Sequence, residues 1–107
     1  MSLDVHLKRV QLTTVFENNI THNLGEMAEA AGIYKHLWWP DEIGIYYAEQ
    51  LIEPLRVGLG LLKSDPERFK KFDAKNGWGL YIHFVPFVEE YLKACEEYPD
   101  AEISISR

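Results

Sequence analysis

Four histidines, one cysteine and three tryptophans are the residues of this chain best equipped for chemistry. His6, His22, His36 and His83 lie far apart in the sequence, and none forms a ligand pair at the spacing of a zinc site. No metal and no other cofactor is therefore expected. Cys95 has no second cysteine to pair with and falls on an apolar stripe, where a thiol is structural rather than nucleophilic. Gly58-Leu59-Gly60 is flanked by leucines and lacks the Lys-Ser/Thr of a phosphate loop. Glu89, Glu90, Glu96 and Glu97 fit a solvated helix face, since a hydrolytic carboxylate pair needs a cleft.

Two stretches hold the remaining candidates. Asn18-Asn19-Ile20-Thr21-His22-Asn23 crowds amides, a hydroxyl and an imidazole at the expected start of a helix, where free backbone N–H groups suit an anionic or hydrogen-bonding ligand. In the structural reading, Thr21 and Asn23 cap that helix and the others shape the turn. Asn76-Gly77-Trp78-Gly79 places an indole between two glycines, presented rather than hidden by its neighbours. Adjacent Trp38 and Trp39 cannot both face one side of a helix, so one of them should lie near the surface or in a cleft. The candidate ligand-binding set is Asn19, Thr21, His22, Asn76 and Trp78, which should converge on one concave, partly polar pocket. His22 can serve there as donor or acceptor.

The elements that position these residues follow from periodicity. Leu3, Val5 and Leu7 alternate with polar residues in a half-buried strand over 3–8, and a second strand over 10–17 puts Val10, Leu12, Thr14 and Phe16 on one face. A turn over 18–23 leads to a helix opened by an Asn23–Glu26 capping box, striped by Leu24, Met27, Ala28 and Ala31, and closed by Gly32. A short helical turn over 33–38 follows. Pro40-Asp41-Glu42 then opens a helix carrying Ile43, Tyr47, Leu51, Leu55, Leu59 and Leu62, which must kink or split at Pro54. Ser64-Asp65-Pro66-Glu67 starts a short helix to about Phe72. The final helix is striped by Leu80, Phe84, Phe87, Val88, Tyr91, Leu92 and Cys95. It carries a Glu89–Lys93 pair outside, and Pro86 should kink or delay it. Residues 101–106 alternate again as a third strand. The expected architecture is one α+β domain over 1–107: a three-stranded antiparallel sheet, two N-terminal strands plus the C-terminal one, covered on one face by three to five helices.

The 107 residues are 47% hydrophobic and 26% charged, which is ordinary globular composition, and the net charge is −6. That acidity opposes a nucleic-acid-binding surface. No apolar run is long enough for a membrane span or an export signal, so the expected location is the cytoplasm, away from membranes.

Asn19-Ile20-Thr21-His22-Asn23-Leu24, Ala31-Gly32-Ile33-Tyr34, Asn76-Gly77-Trp78-Gly79, Tyr98-Pro99-Asp100-Ala101 and the opening Met1-Ser2-Leu3-Asp4-Val5 together span the chain. In these segments the chain resembles a family of short proteins of unknown function associated with bacteriophages and bacterial genomes. The resemblance implies an intracellular protein, is compatible with a host-modulating or counter-defence role, and assigns no activity, ligand or catalytic residue. The residues themselves point to a non-enzymatic module that binds a small molecule or a protein partner. The rivals are a small hydrolase or transferase using His22 as general base, which would need Asp41, Glu42, Asp73 or Asp100 beside it, and a structural homo-oligomer. Two open sheet edges and a surface tryptophan favour a homodimer.

Overall fold

Strict alternation makes the first strand. The computed structural model describes residues 2–9 and 13–107. In it β1 (Ser2–Arg9) buries Leu3, Val5 and Leu7 completely on one face. It forms the centre of a three-stranded antiparallel sheet of order β2-β1-β3, between β2 (Thr13–Thr21) and β3 (Glu102–Ser106). The fold class is thus the α+β architecture expected. The register sets Ile20, Asn18 and Phe16 opposite Leu3, Val5 and Leu7, so these share the covered face. An irregularity between Leu7 and Lys8 skips Val15 and pairs Lys8 with Thr14. That bulge separates Thr14 from Phe16 in facing, against the expectation of a common face, and turns Val15 and Phe16 together toward the core. Val10 and Leu12, assigned to the same face, lie outside the described residues.

β2 runs four residues past its expected end and into the expected turn, through Asn18, Asn19, Ile20 and Thr21. Cross-strand pairing with Ser2–Val5 and burial of Ile20 outweigh the turn tendency of the two asparagines. A 3₁₀ turn, His22–Leu24, leads into α1 (Gly25–Ala30). Thr21 caps the 3₁₀ turn, its Oγ1 accepting from the Asn23 N–H at 3.3 Å, while α1 has no side-chain cap and Asn23 does not cap it. Gly32 (φ 78°) ends α1 as expected, with Ile33 buried beyond it. α2 (Tyr34–Trp38) follows.

The long central helix begins later than its proline suggests. Pro40–Ile43 is a 3₁₀ turn stopped by Gly44 (φ 74°), and α3 spans Glu49–Ser64. Between them Tyr46 and Tyr47 run along β3: Ile103 N–H donates to Tyr46 O at 2.9 Å, and Tyr47 bridges Glu102. Ile43 and Tyr47 are consequently exposed rather than part of the stripe. Pro54 neither ends nor splits α3, and Pro86 lies inside α5 (Tyr81–Glu97) in the same way. Each sits in the second turn and costs one ladder bond, which the packing of Leu51, Leu55 and Leu62 or of Phe84, Phe87 and Val88 outweighs. Gly58 lets α3 approach Ile33, whose Cγ2 would lie 2.6 Å from an added Cβ. α4 (Pro66–Lys70), capped by Asp65, ends two residues before Phe72. Glu89 bonds Lys63 of α3 at 2.6 Å instead of forming the expected pair with Lys93. The helices cover one face of the sheet, leaving Asp4, His6 and Lys8 on the other; there His6 meets Glu17 at 3.4 Å.

Candidate functional site

The end of β2, the 3₁₀ turn, the 74–79 loop and the first half of α5 enclose a cleft of about 1020 Å³. Asn19, Thr21, His22, Asn76 and Trp78 all line it. The loop is built locally. Asn76 Oδ1 accepts from Trp78 N–H at 3.0 Å, and Gly77 (φ 79°) closes the turn with its N–H on Ala74 O. The same loop is then fastened to the opposite wall: Asn23 Nδ2 donates to Trp78 O at 2.8 Å. Gly79 permits that approach. It has φ 112°, and a Cβ there would lie 3.0 Å from Asn23 Cβ and 3.1 Å from Thr21 Cγ2. With its backbone held at both ends, Trp78 is 72% exposed.

His22 is half-buried and anchored from below. The indole Nε1 of Trp38, a residue only 3% exposed, donates to His22 Nδ1 at 2.7 Å. An imidazole accepting at Nδ1 is neutral and carries its proton on Nε2, so what His22 offers a ligand is a donor. No expected carboxylate partner stands beside it: Asp73 accepts from Tyr81 N–H, Asp100 pairs with Arg9 and Glu42 with Lys35, while Asp41 is exposed and does not line the cleft. No family model, curated protein or solved structure matches the chain.

Several cleft residues went unselected in the sequence. Asn18 faces α5 and donates to Glu90 Oε2 at 3.0 Å; Asn19, the alternate residue, is exposed at the rim. His83, Pro86, Phe87 and Glu90 form the α5 wall. Their spacing of three, four and seven is itself a helical stripe, beside the more apolar one that the sequence displays. Asn23 was visible as a capping residue and holds the tryptophan loop instead. Cys95 is buried away from the cleft, and burial pushes its thiol up to about 12, where it is not a nucleophile at neutral pH. Among the described residues no group of three His, Cys, Asp or Glu could hold a metal ion, and no helix is long and apolar enough to cross a membrane.

Proposed function

We propose that this chain is a non-enzymatic binding module whose site is the cleft between His22 and Trp78. The observation that carries this reading is an exposed indole on a loop that is braced by its own Asn76 and fastened to the opposite wall by Asn23, in a cleft also lined by Asn19 and Thr21. A large exposed aromatic costs solvation and gains area when a ligand or partner covers it. The lining suits a polar, largely uncharged ligand or peptide segment: the asparagines, Thr21 and the His22 N–H read its hydrogen-bonding groups, and Trp78 with Phe87 covers its flat or apolar side. A hydrolase or transferase using His22 as general base has less support, because Nδ1 is occupied by Trp38 and no carboxylate orients the ring. The resemblance to phage-associated proteins supports action in the cytoplasm on a host component.

Screening a fragment and peptide library by nitrogen-15 NMR tests the reading. Binders are expected to shift the indole N–H of Trp78 and the Asn23 side-chain amide together. His22→Ala and Trp78→Ala should each abolish that binding and retain the fold by circular dichroism. Binders that move neither group, or that survive both substitutions, would overturn it.

A further inference from the structure

A second cleft, of about 640 Å³, shares only His22 with the first. Its walls are Tyr34, Trp38 and Trp39, and Glu26 and Glu29 lie on its rim. Tyr34 and Trp38 stack at 5.2 Å, with their planes 20° apart. Trp39 Nε1 donates to Tyr34 Oη at 3.3 Å and Trp38 Nε1 to His22, so both indoles are fixed in orientation before any ligand arrives. One cation already lies here. The guanidinium carbon of Arg107 sits 3.7 Å from the centre of the Trp39 ring, and its Nη1 donates to Trp38 O at 2.7 Å.

We propose that this cleft is a binding site for an organic cation, a guanidinium or alkylammonium head, and that Arg107 is its internal occupant. An aromatic face is the negative pole of the ring quadrupole and attracts a cation whose hydration is weak. A carbonyl beside that face accepts from an N–H cation, and Trp38 O is shown doing so. The rim has the matching sign. Glu26 and Glu29 are exposed, and among the described residues neither is paired with a cation of the chain. With Arg107 swung aside, the cleft presents aromatic faces, a carbonyl and carboxylates, and no positive charge. An anion reading Arg107 would have to sit beside the same carboxylates, and that opposes it. Arg107 is exposed, so displacing it uncovers little of the core.

The test follows the Trp39 indole N–H, assigned with Trp39→Phe, during titration with choline, ethylguanidinium and an acetylated Gly-Arg-Gly amide. The neutral isostere of choline, 3,3-dimethylbutan-1-ol, and inorganic phosphate serve as comparisons. Each cation is expected to shift that resonance saturably and to leave the Trp78 indole in place. The free cations and the peptide distinguish a small-molecule from a protein source by which binds tighter. Arg107→Ala removes the competitor and should tighten choline binding roughly two- to five-fold, the equivalent of one exposed cation–π contact. Glu26→Gln with Glu29→Gln should weaken it. An unchanged thermal midpoint of Arg107→Ala shows the fold intact. The proposal is overturned if Arg107→Ala binds cations no better than the native chain, if the neutral alcohol binds as well as choline, or if phosphate alone moves the resonance.

Discussion

One hydrogen bond decides what His22 can do. With Trp38 donating to Nδ1 at 2.7 Å, the ring has only Nε2 left to offer, as a donor rather than a base. His36 shows the opposite case. Its Nδ1 is buried with no partner among the described residues, and burial holds its pKa below the ordinary 6.5. The folded state therefore takes up a proton less readily than the unfolded chain. The stability this neutral ring supports is complete above about pH 6.5 and is lost as pH falls from there toward the folded value. Urea midpoints measured from pH 7.5 to 5 should thus fall less steeply for His36→Gln than for the native protein. Equal slopes would show that His36 titrates as it does in water. Tyr91 poses a neutral version of the problem. It is fully buried between Phe16 and Phe87, and its hydroxyl has no partner among the described residues. Tyr91→Phe keeps the packing and removes a desolvated hydroxyl, so stability should rise by about 1 kcal/mol. A loss in chemical denaturation would mean that the hydroxyl is satisfied in solution.

Elements with one strong periodic signal were legible in the sequence. β1 and α5 follow from alternation or a helical stripe, because burial of Leu3, Val5 and Leu7 or of Phe84, Val88 and Tyr91 is what makes them. Structure departs from local sequence tendency where local chemistry and tertiary pairing disagree. Asn18 and Asn19 are turn formers by composition, yet they stay extended because β1 offers paired backbone as far as Ser2. Pro40 looks like a helix start, but the chain from Tyr46 to Glu49 is held by the Pro99 and Ala101 carbonyls and by β3, contacts too distant in sequence to read locally. The convergence of His22 with Trp78 could be foreseen from the final helix returning along the sheet. The Asn23 bond that secures it could not, since the same residue serves equally well as a cap. Gly79 is the hinge of that arrangement. Gly79→Ala must adopt φ near 112° and press its Cβ on Asn23 and Thr21. It should cost about 1–3 kcal/mol and free the Asn23 amide from Trp78. A native midpoint together with an unshifted Asn23 amide resonance would place the loop's anchorage elsewhere.

At the scale of the whole molecule the sheet is closed unequally. The outer edge of β3 is partly covered by Tyr46 and Tyr47. The outer edge of β2 has no strand beside it among the described residues. It is nine residues long, rich in threonine and other β-formers, with Glu17 its one charged residue and no proline or lysine to deter pairing. An antiparallel pairing of two such edges satisfies a twofold axis, each copy offering the other the same backbone groups. The chain is therefore expected to dimerise through β2, and light scattering at tens of micromolar should give twice the 12.5 kDa chain mass. The monomer mass at that concentration would end the idea. The same strand also supplies Asn18, Asn19 and Thr21 to the cleft, so assembly and ligand binding draw on one element. A peptide that adds to the edge of β2 competes with the second copy and drives the dimer apart, as linkage requires of any ligand that binds only the monomer. A compact ligand confined between His22 and Trp78 leaves the edge free and leaves the mass unchanged. Repeating the scattering measurement with each binder that shifts Trp78 thus separates the two kinds of occupant: a fall toward the monomer mass marks an extended strand, and a constant mass marks a small molecule.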